Sequence, residues 1–108
     1  MSESRLLYEI MQSVGKHAAV FRCQAGSPKL ADGTRFNGLP KGFSDIMAVF
    51  PSGRVGFIEV KSAKGKTSPE QDEFLARMRD LGALAGVAHS VEEAMSICEL
   101  TNNSPTIN

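Results

Sequence analysis

Leu6, Leu7, Ile10, Met11 and Val14 recur at helical spacing until Gly15 breaks the pattern, which predicts a first helix from about Glu3 to Val14. A second period follows. Ala18 to Cys23 reads as an apolar strand, and the stretches Ser44–Phe50 and Val55–Lys61 are β-branched and aromatic runs around a Pro51-Ser52-Gly53 turn signal. So short a connection predicts an antiparallel hairpin. The helical period returns after Thr67, where Ser68 is placed as N-cap, Pro69 at the first helical position and Gln71 at the capping-box position. Phe74, Leu75, Met78 and Leu81 form the predicted buried stripe of this helix, from Pro69 to Leu81. Gly82 then ends the helix and a short strand, Leu84 to Ala88, leads into a last helix capped by Ser90 with Glu93. The order is αβββαβα: an α/β fold with a mixed central sheet flanked by helices. Residues 1–100 are expected to form one domain, and the polar tail 101–108 to fray.

On a strand, alternate side chains share a face, so Glu59 and Lys61 point one way while Ile58 and Val60 point the other. The hairpin brings Asp45 back toward them, and two carboxylates and an ammonium meet at one end of the sheet. Charges on an apolar strand pair are costly to bury unless they pair or bind a metal. A salt bridge from Lys61 to Asp45 or Glu59 is the plain account, and Glu-x-Lys alone does not exceed it. Two neighbours add weight. At about 100° per residue Glu3 falls near the middle of the first helix's apolar stripe, whereas Glu9 falls beside Arg5 and Ser13. Glu3 is therefore expected to face inward and Glu9 water, although the helix dipole also favours a carboxylate at Glu3. Gln71 lies on the face of Phe74 and Leu75, from which its amide could reach the strand ends.

These residues resemble the VRR-NUC domains of the PD-(D/E)XK nuclease superfamily over nearly the whole chain. The resemblance is carried by Glu3, Phe21-Arg22 before Gly26, Lys41-Gly42-Phe43-Ser44-Asp45, Ile58-Glu59-Val60-Lys61 and Ser68-Pro69-Glu70-Gln71. It implies a restriction-endonuclease-like core and the catalytic series Glu3, Asp45, Glu59, Lys61 and Gln71, with Glu3 or Glu9 as the first glutamate; the helical-face argument favours Glu3. It also implies a divalent cation held by Asp45, Glu59 and the Val60 carbonyl, with Glu3 acting through a water. Lys61 would orient or help deprotonate the attacking water, and Gln71 would hold Lys61 or that water. Hydrolysis of a phosphodiester calls for such a site, since a hard cation takes oxygen ligands, and Mg2+ or Mn2+ is the expected ion. One ion or two is left open. Standalone family members occur in phages and bacteria and resemble homodimers that cleave four-way (Holliday) junctions. The expected activity is thus a structure-selective DNA endonuclease in DNA repair, with a nicking or end-processing nuclease, or a catalytically silent DNA-binding module, as alternatives.

Charge changes this picture only once the chain is divided. The 108 residues carry 12 basic and 12 acidic side chains, which speaks against a nonspecific basic binder. Between Gly15 and Thr67, however, nine basic residues face three acidic ones, so that segment is net +6 and the remainder net −6. Arg22, Lys29, Arg35, Lys41, Ser44, Lys64 and Lys66 are the candidate contacts to a DNA backbone. Trp is absent and aromatic residues are few, which disfavours a stacking platform for single strands. No Cys/His cluster has zinc-ligand spacing. Cys23 and Cys98 read as small buried hydrophobes in a reducing compartment, and His17 and His89 as incidental. No apolar run approaches a membrane span and no signal-peptide pattern opens the chain, so the expected setting is the cytoplasm of a bacterium or a phage-infected host.

Overall fold

The computed structural model describes residues 1–25, 30–34 and 38–107. Its order is α1 (Glu3–Val14), β1 (Ala19–Arg22), β2 (Ile46–Val49), β3 (Val55–Val60), α2 (Pro69–Asp80), β4 (Leu84–Ala88) and α3 (Val91–Ile97), as the periodicities predict. The strands form one sheet in the order β1-β2-β3-β4. β1 and β2, and β2 and β3, pair antiparallel, whereas β3 and β4 pair parallel. Two antiparallel strands need only a tight turn, but a parallel pair needs a crossover, and α2 is that crossover.

The sheet separates two apolar layers. On one face Ile46, Ala48, Ile58, Val60 and Ala88 pack with Leu6, Ile10 and Val14 of α1 and with Ala94 and Cys98 at α3. On the other, Phe57 meets Phe43 and Phe74 in a three-ring cluster, with centroids 5.8 Å apart for Phe43–Phe57, 5.4 Å for Phe57–Phe74 and 4.5 Å for Phe43–Phe74. Ile58 and Val60 are fully buried, each contributing roughly 1.5–3 kcal/mol of hydrophobic stabilisation. Their burial fixes the register of β3, because a one-residue slip would take both out of this apolar layer and turn Glu59 into it.

Each helix start is capped, α2 and α3 by the residues read from the sequence and α1 by Ser2, which the pattern did not single out. Ser2 Oγ accepts from Arg5 N at 3.2 Å, Ser68 and Gln71 form a reciprocal capping box, and Ser90 Oγ accepts from Glu93 N at 3.1 Å. The end of α2 departs from expectation. Leu81 was expected in the buried stripe but is 74% exposed, since it is the C-cap and no longer follows the helical rotation. Gly82 follows at φ +97°, donating to Arg79 O while Ala83 donates to Met78 O, and this pair of bonds turns the chain into β4. Cys23 lies just beyond β1 and is only half-buried, while Cys98 is buried; both are free thiols.

The C-terminal segment, expected to fray, is tied back onto the end of α1. Ile107 N donates to Lys16 O at 2.7 Å, and buried His17 donates from Nδ1 to Pro105 O at 2.7 Å. A polar composition gave no hint of this, because the partners are backbone carbonyls. His17→Ala leaves the Pro105 carbonyl without its donor. It is expected to lower stability by about 1–3 kcal/mol in a urea titration and to speed proteolysis of the tail.

Candidate active site

Glu59 is the centre of the site. It occupies the sheet face of Phe57, two residues along β3, and is only 2% exposed. Gln71 Nε2 donates to Glu59 Oε2 at 2.8 Å, and Lys61 Nζ lies 3.4 Å from the same oxygen. Glu59 Oε1 is buried with no partner among the described residues. Such an orphaned carboxylate oxygen is rare in a folded protein and marks a place where a positive group belongs.

Asp45 supplies the second carboxylate. Its Oδ2 accepts from Val60 N at 2.9 Å across the β2–β3 pair, and its own carbonyl accepts from Cys23 N at 2.7 Å. The residue is thereby held between β1 and β3. Burial first, and then the Asp45 carboxylate, push the Glu59 carboxyl up to about 7, against the opposing pull of the Lys61 ammonium. Two carboxylates at one buried site ionise together only at a cost, which a proton or a cation relieves.

Gln71 is pinned at both ends. Its Oε1 accepts from Ser68 N at 2.9 Å, leaving the amide nitrogen aimed at Glu59. The expected partner was Lys61 or a water. In the structure the amide orients Glu59 instead, because the capping box fixes which end of the side chain faces the strand.

Glu3 and Glu9 divide differently from the helical-wheel expectation. Glu9 pairs with Arg5 at 3.3 Å, as its position beside Arg5 suggested. Glu3 is exposed and not part of the α1 core of Leu6, Ile10 and Val14. Its position on the packing side of α1 still brings Oε2 to Ser62 N at 3.3 Å, just past Lys61. Glu3 thus stands at the rim of the site, at the open end of β3. The Ser62 amide was not foreseen, since a backbone N–H leaves no mark in the side-chain pattern.

The candidate DNA contacts separate into three groups. Arg22, Lys64 and Lys66 are exposed, the last two in the turn after β3. Lys41 is exposed but 3.5 Å from Glu70 Oε1, an ion pair open to solvent and therefore weak. Ser44 is a correction: it is 1% exposed and its hydroxyl donates to Ile46 O at 3.0 Å, so it cannot reach a phosphate. Lys29 and Arg35 lie outside the described residues.

The donor set suits a hard cation in type though not as a closed cage. Among the described residues no three His, Cys, Asp or Glu side chains converge. Asp45 and Glu59 Oε1 are the side-chain oxygens available. Val60 N–H points to Asp45 while Lys61 N–H points to Ala88 O on the opposite edge. A strand residue's N–H and C=O leave by the same edge, so the Val60 carbonyl opens on the Asp45 side. Two carboxylates and a carbonyl, completed by solvent, are an oxygen set of the kind Mg2+ accepts.

The VRR-NUC domain model matches residues 1–92, most of the chain. The protein belongs to the VRR-NUC domain family. A solved structure described as a VRR_NUC domain aligns with a TM-score of 0.63 at 22% identity, covering 90% of this chain and 94% of that one, which shows the shared fold. The curated proteins return no match. Membership gives the chain a nuclease-type function with DNA as its substrate. No described helix is long and apolar enough to cross a membrane.

The pH dependence of the metal-free protein follows from Glu59. In the unfolded chain its carboxyl releases its proton near 4.5, but in the native state only near 7. Between those values the native state holds a proton that the unfolded state has lost, so stability falls as pH rises through that window. In EDTA the melting temperature is expected to drop from pH 5 to pH 8. Glu59→Gln, which has nothing to titrate, should flatten that slope; an unchanged slope would mean that Glu59 titrates normally.

Proposed function

We propose that this VRR-NUC protein is a Mg2+- or Mn2+-dependent, structure-selective endonuclease that hydrolyses phosphodiesters in branched DNA such as four-way junctions. The observation that carries the reading is Glu59 Oε1, buried without a partner among the described residues and on a carboxylate that feels the charge of Asp45, which asks for a cation where the sheet opens. Asp45, Glu59 and the Val60 carbonyl would hold the ion, with Glu3 at the rim acting at one remove. When bound, a divalent cation neutralises charge on the scissile phosphate and favours ionisation of a water nucleophile.

The protein's own groups supply the rest. Lys61 is held beside Glu59 by their ion pair, with its side chain 17% exposed, so its ammonium can turn from the carboxylate to a phosphate oxygen or to the attacking water. Gln71 keeps Glu59 Oε2 occupied and leaves Oε1 as the oxygen open to a cation. Arg22 at the end of β1 and Lys64 and Lys66 after β3, all exposed, are suited to phosphates flanking the cut. A homodimer fits this picture. β1 is an edge strand at the end of the sheet, and Phe21 on it is 50% exposed, a surface that a two-fold copy could cover while presenting two sites to two strands.

The test is cleavage of labelled four-way junction, flap and linear duplex DNA by the purified protein with Mg2+, Mn2+ or EDTA, beside Lys61→Ala and Asp45→Ala. Symmetric cuts in the junction that need the metal, reduced by about a hundredfold or more in both variants, are the expected result. Cuts at nicks or ends with intact junctions would make it an end-processing nuclease of the same family. Tight binding without cleavage under every condition would overturn the enzyme reading.

A further inference from the structure

Pro40 to Phe43 form a tight turn closed by Phe43 N donating to Pro40 O at 3.1 Å, with Gly42 in its third position at φ +92°. That φ belongs to the left-handed region that side-chain-bearing residues avoid. The space around it is more restrictive still. A Cβ on Gly42 would lie 2.6 Å from the carbonyl oxygen of Glu70, 2.7 Å from its carbonyl carbon and 3.0 Å from its Cβ. The first two obstacles are helix backbone in the opening turn of α2 and cannot swing aside. By contrast, a Cβ on Gly33 or Gly53, which also have positive φ, would meet nothing among the described residues within 4 Å.

The two segments pressed together here are the two arms of the site. Gly42 is three residues before Asp45, and Glu70 immediately precedes Gln71, whose amide holds Glu59. The contact is bracketed on both sides. Lys41 pairs with the Glu70 carboxylate at 3.5 Å, and the Phe43 ring lies 4.5 Å from Phe74 on the same helix. Between this seat and Asp45 the chain has little play, because Ser44 is buried and bonded to Ile46 O.

We propose that Gly42 is a positioning residue: its missing side chain sets how closely the Asp45 arm approaches the helix that orients Glu59, and so sets the spacing of the two carboxylates. This rests on the metal-dependent nuclease reading. A methyl group at position 42 would force the turn and the helix apart by several tenths of an ångström. Cation ligands and reacting groups tolerate little of that, since a shift near 1 Å costs on the order of a hundredfold in rate.

The test compares the wild-type chain with Gly42→Ala and with Phe74→Leu, which loosens the seat by weakening the ring contact to Phe43 while leaving the residues of the turn unchanged. Mn2+ binding to the metal-free proteins is followed by calorimetry without DNA, and kcat and KM are measured on the DNA the wild type cleaves. Both variants are expected to bind Mn2+ about tenfold more weakly and to lose roughly ten- to a hundredfold in kcat with KM unchanged. A folded Gly42→Ala with wild-type Mn2+ affinity and kcat would overturn the proposal. Should Gly42→Ala not fold, Phe74→Leu decides alone, and wild-type values for both quantities overturn the proposal equally. A wild-type protein that neither binds Mn2+ nor cleaves would instead refute the nuclease reading on which this rests.

Discussion

Burying a carboxylate on a β-sheet costs several kcal/mol unless something compensates it, and the arrangement around Glu59 is organised by that cost. Ile58 and Val60, on the opposite face of the same strand, anchor β3 in the core and force Glu59 to stay where it is. Gln71 and Lys61 satisfy one of its oxygens, and nothing among the described residues satisfies the other. Asp45 adds a second negative group to the same side. A further positive charge at the two carboxylates would offset this, and in the metal-free protein burial first, and then Asp45, push the Glu59 carboxyl up to about 7.

The fold makes this incompleteness affordable and directs it outward. The parallel β3–β4 pair requires a crossover helix, and α2 crosses on the Phe57 face with its N-terminus beside the end of β3. Capping that helix with Ser68 and Gln71 satisfies its first amides, and the same Gln71 side chain then reaches the strand. One residue therefore links helix initiation to the orientation of Glu59. The three-ring cluster of Phe43, Phe57 and Phe74 holds the sheet, the helix and the Asp45 segment in one packed unit, so the site is positioned by apolar contacts it does not itself contain.

Much of this was legible in the sequence, and what was not has identifiable causes. Periodicity and capping residues gave all seven elements in order, because Leu6, Ile10, Val14, Ile58 and Val60 carry both the pattern and the burial. Alternation along β3 placed Glu59 and Lys61 together, and the hairpin brought Asp45 to them. Contacts that depend on backbone atoms stayed hidden: Glu3 on the Ser62 amide, His17 on the Pro105 carbonyl, and Gly42 against Glu70. Ser44, read as a candidate DNA contact at the start of a strand, is buried instead, with its hydroxyl folded onto Ile46 O. Leu81 fitted the helical stripe only for as long as the helix continued.

The central claim, that the free oxygen of Glu59 and the Asp45 carboxylate await a cation, is tested most directly by anomalous diffraction from crystals grown with Mn2+. The account predicts a peak between Asp45 and Glu59 Oε1, within roughly 2.0–2.2 Å of an oxygen of each, with Gln71 still on Glu59 Oε2. Crystals that bind Mn2+ elsewhere but leave this position without a peak, or that show Glu59 Oε1 turned onto Lys61, would contradict it.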